Sequence, residues 1–121
     1  MKLLIAGSRS LKNIEIDFMV ESINEYLSDI GMLDVKEIVS GGAIGIDTLG
    51  ETIAKDFGLK VKQFLPDWKT LGKKAGAVRN KEMVDYCDAA IIFYDGQSKG
   101  TQITIDLLKR SKKSYKVILI E

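Results

Sequence analysis

The sequence of 121 residues contains no histidine, a single cysteine and a single proline. The lone Cys87 excludes a disulfide within the chain. Without histidine, a zinc site would lose its commonest nitrogen ligand and a catalytic triad would lose its usual base. We therefore expect no metal site and no cofactor, and we expect Cys87 to be a small buried hydrophobic residue.

Long apolar runs are absent as well, and the longest are too short to cross a bilayer. The apolar residues 3–6 lead directly into Gly7, without the apolar core and cleavage site of a secretory signal. We therefore expect a cytoplasmic protein. Hydrophobic residues make up 45% of the chain and charged residues 29%, which indicates a folded globular protein rather than a disordered one. Its length predicts one domain over residues 1–121.

The formal net charge of +1 hides an uneven distribution of charge along the chain. Six acidic and no basic residues lie between Glu15 and Asp34, whereas five basic and no acidic residues lie between Lys69 and Lys81. Solvated helix faces commonly carry such runs. The basic run also adjoins Trp68, the only tryptophan, and this makes it a candidate binding surface.

Hydrophobic periodicity predicts five strands that alternate with four helices. The strands are predicted at residues 3–6, 35–39, 59–65, 89–94 and 117–120. The helices are predicted at residues 16–30, 46–57, 77–86 and 101–113, with a surface loop at residues 67–76. The patterns place Phe57, Val78 and Ile103 on buried helix faces. This alternation predicts an α/β fold: one Rossmann-like three-layer domain with a mostly parallel five-stranded sheet and helices on both faces.

Polar turns that contain glycine follow the first, second and fourth predicted strands. They are Gly7-Ser8-Arg9, Ser40-Gly41-Gly42 and residues 95–101. The carboxyl ends of parallel strands share one edge of a sheet, and ligands bind there. A glycine turn that leads into a helix leaves the backbone accessible and offers unpaired N–H groups, which suit a phosphate. The simpler alternative is a tight turn with no ligand. Neither a G-x-G-x-x-G fingerprint nor a Walker A motif is present, so common dinucleotide and triphosphate sites are not supported.

Five motifs in order along nearly the whole chain resemble the SLOG superfamily of Rossmann-like proteins, above all its small YspA/YpsA-type members. They are Gly7-Ser8-Arg9, Ser-Gly-Gly-Ala-Ile-Gly-Ile-Asp at residues 40–47, Asp67-Trp68, residues 76–80 and Gly100-Thr101. The resemblance implies a Rossmann-like fold, a nucleotide-derived ligand and a homodimer or higher homo-oligomer.

Two branches of that superfamily share parts of the pattern. In the LOG branch of cytokinin-activating phosphoribohydrolases, a glycine turn, an Arg-Lys pair and a P-G-G-x-G-T-x-x-E segment build a nucleoside monophosphate site. Arg79 matches the arginine, but Asn80 replaces the lysine and Thr104 replaces the glutamate. A threonine hydroxyl cannot supply the carboxylate that hydrolysis of an N-glycoside requires, so the resemblance implies nucleotide binding more than hydrolysis. In the DNA-processing protein A branch, a Ser-Gly-x-Ala-x-Gly-Ile-Asp stretch and an Arg-Asn pair accompany single-stranded DNA binding.

We therefore expect a protein that binds a nucleotide or a nucleotide-derived ligand, as a sensor or carrier. One alternative is a nucleotide N-glycoside or phosphoribosyl hydrolase of LOG type, with Asp95 or Asp47 as the catalytic carboxylate. The other is a single-stranded DNA binder that uses the basic run and Trp68 as a stacking platform. The candidate ligand-binding residues are Gly7, Ser8, Arg9, Ser40, Gly41, Gly42, Gly45, Asp47, Trp68, Arg79, Asn80, Gly100 and Thr101.

Structural roles stay open for several of these candidates. Arg79 has the alternative of a helix-surface residue, and Ser8 and Arg9 have the alternative of simple turn residues. A carboxylate such as Asp47 is favourable in the first turn of a helix without any ligand. The indole of Trp68 is suited to covering the core. Thr101 is placed to cap the last helix, to bind a phosphate, or to do both.

Overall fold

The fold is α/β, with a single sheet of five strands. The computed structural model describes residues 1–121. Its strands are β1 (Lys2–Gly7), β2 (Glu37–Ser40), β3 (Lys60–Gln63), β4 (Ala89–Tyr94) and β5 (Ser114–Leu119). Its helices are α1 (Ile16–Asp29), α2 (Ile46–Asp56), α3 (Trp68–Leu71), α4 (Ala75–Tyr86) and α5 (Lys99–Ser111), with a 3₁₀ turn at Gly72–Lys74. All neighbouring strands are parallel, and the predicted Rossmann-like α/β fold is confirmed.

The order of the strands across the sheet is β3-β2-β1-β4-β5. The chain adds β2 and β3 on one side of β1, then β4 and β5 on the other, so the order reverses between β1 and β4. Right-handed crossovers in the two directions place α1 and α2 on one face and α4 and α5 on the other. The prediction of helices on both faces is therefore confirmed. In such a sheet the ligand crevice lies at the carboxyl ends of the strands beside the reversal.

Each face of the sheet is covered by its own hydrophobic core. Side chains alternate along a strand, so Leu3 and Ile5 of β1 pack in the cluster with α1 and α2, whereas Leu4 and Ala6 pack in the cluster with α4 and α5. The first five residues of β4 are buried in the same alternating way. Because a strand buried on both faces is a continuous apolar run, the sequence predicts β4 with its observed bounds.

Three hydrophobic side chains that the periodicity places inward are exposed. Phe57 is 61% exposed because α2 ends one residue before it. Val78 is 38% exposed and Ile103 is 41% exposed, so these two predictions were also wrong. In their helices the buried face carries polar residues, which a hydrophobic pattern does not detect. The buried polar residues of α4 and α5 are Arg79, Asn80, Thr101 and Thr104.

The predicted surface loop at residues 67–76 is instead helical over most of its length. Asp67 caps α3 by accepting a hydrogen bond from the Thr70 amide at 3.1 Å. Gly72 has a φ of +58° and turns the chain into the 3₁₀ segment that leads to α4. Two glycines and three lysines hide this helical character in the sequence, and the Asp67 cap is its one local signal.

The start of α5 also differs from the prediction. The helix begins at Lys99, and Ser98 rather than Thr101 is its N-cap. The Ser98 hydroxyl accepts hydrogen bonds from the amide and the hydroxyl of Thr101, at 3.4 and 3.0 Å. Thr101 therefore lies inside the first turn of α5.

Cys87 is buried, as predicted, and burial raises the pKa of its thiol to about 11. This side chain is therefore an unreactive part of the core beneath α4. None of the helices combines the length and the apolar character needed to span a membrane.

Candidate functional site: a polar cavity at the carboxyl edge of the sheet

A cavity of about 450 Å³ opens at the carboxyl ends of the strands, where the strand order reverses. Its size is typical of sites for small molecules. Only three of its fourteen lining residues are hydrophobic, and none is aromatic. It is lined by Ala6, Gly7, Arg9, Ser10, Ala43, Asp47, Arg79, Asn80, Met83, Asp95, Ser98, Gly100, Thr101 and Thr104.

The buried side chain of Ser40 stabilises the turn between β2 and α2. This hydroxyl is fully buried, donates to Glu51 at 2.6 Å and accepts the Gly42 amide at 3.1 Å. Gly42 itself is exposed, has a φ of +71° and lies against the Leu65 side chain. Ser40 and Gly42 thus shape the turn without lining the cavity.

Gly41 allows two charged side chains to approach the backbone closely. A Cβ added to Gly41 would lie 2.8 Å from Arg79 Nη1 and 2.9 Å from Asp47 Oδ2. Arg79 Nη1 donates to the carbonyl oxygen of Gly41 at 2.6 Å. Any other residue at position 41 would displace these groups, so the glycine fixes the position of both the guanidinium and the carboxylate.

Arg79 is a buried arginine whose guanidinium is only partly used by the protein. Its Nε donates to Asn80 Oδ1 at 2.8 Å, and its Nη1 donates to the carbonyl oxygens of Gly41 and Phe64. Nη2 has no protein partner. Every buried side-chain nitrogen and oxygen of the chain has a partner, so Nη2 is not a buried atom. Nη2 is therefore exposed to solvent, and Arg79 is one of the residues that line the cavity. Burial lowers the pKa of Arg79, but a guanidinium stays charged.

Asp47 lies in the first turn of α2 and is only 7% exposed. Its Oδ2 accepts the Ala43 amide at 3.1 Å, while its Oδ1 has no protein partner and is therefore exposed to solvent. Burial raises the pKa of Asp47 to about 6, against the opposing effects of the Ala43 N–H and of Arg79. At neutral pH this carboxylate is mostly ionised and can accept hydrogen bonds from a ligand.

Arg9 follows β1 and lines the cavity from the solvent side. It is exposed, and its guanidinium makes no hydrogen bond or ion pair within the protein. Its backbone packs against Gly45, the N-cap of α2, where an added Cβ would lie 3.0 Å from the Arg9 carbonyl oxygen. This contact brings the turn after β1 against the turn after β2.

Asp95 follows β4 and is held by three hydrogen-bond donors. Its carboxylate accepts the amides of Gln97 and Ser98 at 2.8 and 2.9 Å and the hydroxyl of Ser10 at 2.7 Å. Chiefly through the Gln97 amide, these bonds lower its pKa to about 2. Such a carboxylate is ionised at neutral pH and a weak base, so Asp95 ties the turns after β1 and β4 together rather than exchanging protons.

Two buried hydroxyls join β1 to α5 behind the cavity wall. The Ser8 hydroxyl accepts the Asp95 amide at 3.1 Å and lies 3.4 Å from Thr101 Oγ1. The Thr104 hydroxyl, one turn further along α5, donates to the carbonyl oxygen of Gly100 at 3.3 Å. Asn80 Nδ2 donates to the same oxygen at 3.4 Å. These contacts fix the amino-terminal end of α5 at the cavity.

The structure therefore divides the sequence candidates into three groups. Those that line the cavity are Gly7, Arg9, Asp47, Arg79, Asn80, Gly100, Thr101 and Asp95. Those that shape its turns without lining it are Ser8, Ser40, Gly41, Gly42 and Gly45. Trp68 lies outside, 53% exposed, with its indole against Gly76.

The sequence reasoning missed five lining residues, namely Ala6, Ser10, Ala43, Met83 and Ser98. Ser98 could have been found, since a serine three residues before Thr101 is a recognisable N-cap signal. Thr104 was noticed only as the residue in place of a glutamate, although its spacing from Thr101 puts both on one helix face. Ala6, Ala43 and Met83 carry no chemical signal.

Among known proteins, the chain is similar to the Gene 61 protein of Mycobacterium phage D29. The two are 32% identical over 107 residues, which cover 84% of this chain and 82% of the phage protein. No family model matches the chain, and no solved structure matches it. The name of the phage protein states no activity.

Proposed function

The chain belongs to the same family as the Gene 61 protein of Mycobacterium phage D29, and we propose that it binds a nucleotide or a nucleotide-derived ligand in the cavity, as a sensor or carrier. One observation carries the proposal: the cavity is lined side by side by Arg79 and Asp47, and each has a polar atom, Nη2 and Oδ1, without a protein partner. A guanidinium suits phosphate oxygens, and a carboxylate accepts hydrogen bonds from ribose hydroxyls.

Further groups favour an anion at the same place. Arg9 contributes a second guanidinium with no partner in the protein. The amino-terminal ends of α2 and α5 both meet the cavity, and the amides of Lys99 and Gly100 donate to no protein acceptor. Helix amino-terminal ends favour negative charge, so these groups supplement the two arginines. The resemblance of the same turns to the SLOG superfamily supports the same class of ligand.

The proposal is tested by thermal-shift and calorimetric titrations with nucleoside monophosphates and ADP-ribose. A ligand at about 100 times its dissociation constant stabilises the folded state by about 2.7 kcal/mol, which raises the melting temperature by several degrees. Arg9→Ala should weaken binding at least about tenfold, because a charge-assisted contact contributes about 1.5–3 kcal/mol. It should leave the melting temperature of the free protein unchanged, since Arg9 has no partner.

Arg110→Ala is the matched control for this variant. Arg110 is also exposed, but it lies in the last turn of α5, at the end of that helix remote from the cavity. It should bind like the wild type. Equal loss in both variants would indicate attraction by net charge alone, and no response to any of these ligands would contradict the proposed function.

Hydrolysis of a nucleotide N-glycoside is the second candidate, because Asp47 combines an open oxygen with a pKa of about 6. A group that titrates close to neutral pH is suited to general acid–base catalysis. Asp95, with its pKa of about 2, is not. Release of free base from adenosine, guanosine and cytidine monophosphates, followed by chromatography, tests this candidate. Turnover by the wild type that is lost in Asp47→Asn would establish it.

Single-stranded DNA binding is the third candidate, and it concerns a different surface. Trp68, Lys69, Lys73 and Lys74 are all exposed on α3 and the 3₁₀ turn, outside the cavity. Because Trp68 is the only tryptophan, its fluorescence reports on this surface directly. Quenching by an oligothymidylate that is lost at higher salt would support a nucleic-acid site there, whereas unchanged fluorescence would exclude stacking on Trp68.

A further inference from the structure

We infer that the cavity recognises the ribose phosphate of its ligand and does not read the base. The inference rests on the proposed function and narrows it to a class of ligands that share a ribose 5-phosphate. Its basis is the juxtaposition, in one cavity, of open charged groups with a lining that contains no aromatic side chain on which a base could stack.

The walls of the cavity carry no aromatic side chain. Bases are bound by stacking on aromatic or apolar side chains, which contributes about 1–3 kcal/mol per base. The hydrophobic lining residues here are Ala6, Ala43 and Met83, and Met83 is only 2% exposed. Phe93 and Tyr94, which precede Asp95 in the chain, do not line the cavity. Phe93 is fully buried, and the Tyr94 hydroxyl donates to Gln102.

The edge of a base would meet few suitable side chains in the cavity. A base edge is best read by a side-chain amide, which offers a donor and an acceptor side by side. The only side-chain amide in the lining is Asn80. Its oxygen is held by Arg79 Nε at 2.8 Å, and its nitrogen is bonded to the Gly100 carbonyl at 3.4 Å. Asn80 is therefore engaged in positioning Arg79 and α5.

The side-chain and backbone groups left without protein partners match a sugar phosphate. Arg79 Nη2, the Arg9 guanidinium and the Gly100 amide are donors, which suit phosphate oxygens. Asp47 Oδ1 is an acceptor and suits the hydroxyls of a ribose. The open side-chain donors and the open carboxylate oxygen thus account for the phosphate and the sugar.

The test is calorimetric titration with four probes: ribose 5-phosphate, AMP, UMP and adenosine. Ribose 5-phosphate, AMP and UMP should bind with dissociation constants within about threefold of one another. Adenosine should bind at least about 100-fold more weakly, because it lacks the phosphate. Asp47→Asn should weaken the three phosphorylated probes by a similar factor, whereas Asp56→Asn, at the opposite end of α2, should change none of them.

Two results would overturn the inference, and they differ in what they say of the proposed function. AMP binding more than about tenfold tighter than both ribose 5-phosphate and UMP would show that the base is read, while nucleotide binding itself would stand. Absence of binding by all four probes would remove the inference together with the proposed function.

Discussion

Asp47 and Asp95 line the same cavity from the turns after β2 and β4, and their surroundings shift their pKa values in opposite directions. Asp47 is buried with a single N–H donor, so desolvation raises its pKa to about 6. Asp95 is accessible to solvent and accepts three hydrogen bonds, which lower its pKa to about 2. Asp47 thus keeps one carboxylate oxygen without a protein partner, whereas the Asp95 carboxylate holds two turns together. Residue type alone does not distinguish them.

The largest effect is expected from Gly41→Ala, which would displace the Asp47 carboxylate. The new Cβ would collide with Arg79 Nη1 and Asp47 Oδ2. We expect the free energy of unfolding to fall by about 1–3 kcal/mol, as for overpacking of a close-packed site. The affinity for AMP should fall at least about tenfold, because both open groups move.

Gly76→Ala is the control for the glycine variant. Gly76 lies within α4, and an added Cβ would make only an ordinary contact, 3.6 Å from the Trp68 ring. This variant should be neutral or more stable by up to about 1 kcal/mol, as alanine is favoured over glycine in helices. Urea denaturation and calorimetry of both variants check the pair. A Gly41→Ala protein with normal AMP affinity would show that the turn only connects β2 to α2.

Asp47→Asn tests the raised pKa of Asp47 through the pH dependence of the free energy of unfolding. The folded-state pKa of about 6 lies above the ordinary value, so the ionised carboxylate destabilises the fold at high pH. This cost is complete above about pH 6 and vanishes below about pH 4, where Asp47 is protonated in both states. The variant should therefore be more stable than the wild type by about 1–3 kcal/mol at about pH 8, with the difference shrinking towards pH 4. Urea denaturation at both pH values measures this, and an unchanged or lower stability at pH 8 would contradict it.

Asp95→Asn should show the opposite dependence on pH. The folded-state pKa of about 2 lies below the ordinary value, so the ionised form stabilises the fold above about pH 4. That contribution is lost as the pH falls from about 4 through 2. The variant should melt at a lower temperature than the wild type at neutral pH and at nearly the same temperature at about pH 2. Thermal melts followed by circular dichroism at these two pH values test the sign.

The smallest effect is expected when a third carboxylate is added to the cavity at Thr104. Neither the wild type nor Thr104→Glu should release free base from nucleoside monophosphates at the rate of a LOG enzyme. Loss of one group that stabilises a transition state costs about 10²- to 10³-fold, so weak residual turnover is consistent with this. A single carboxylate should not restore activity, because Asn80 also departs from the LOG lysine and catalytic groups that act as a unit are not additive. Robust turnover by the wild type would contradict the binding-protein account and direct attention to Asp47.

Much of the fold follows from the sequence, because its strands and helices obey simple periodicities. The apolar runs that become β1 and β4 and the amphipathic stretch that becomes α1 need no tertiary information. The prediction failed where tertiary structure buries polar groups: Val78 and Ile103 are exposed because α4 and α5 turn Arg79 and Thr104 inward. A helix face that lines the cavity is buried but carries polar residues, so hydrophobic periodicity does not identify it as buried.

The position of the cavity was also predictable, whereas the contacts of the residues around it were not. Three glycine-bearing turns had to meet at one edge once the sheet was parallel. That Asp95 is held by Gln97, Ser98 and Ser10 depends on distances that no sequence pattern contains. The exclusion of Trp68 from the cavity depends in the same way on the helical path of the segment that was predicted to be a loop.

The most direct test of the central claim is a nuclear magnetic resonance titration of the nitrogen-15-labelled protein with AMP. If AMP binds in the cavity, we expect saturable shifts of the backbone amides at residues 41–47, 79–80 and 99–101, which surround it. The indole signal of Trp68 should stay unshifted, because this side chain lies outside it. Shifts confined to Trp68 and the neighbouring lysines, or no shifts at saturating AMP, would contradict the account.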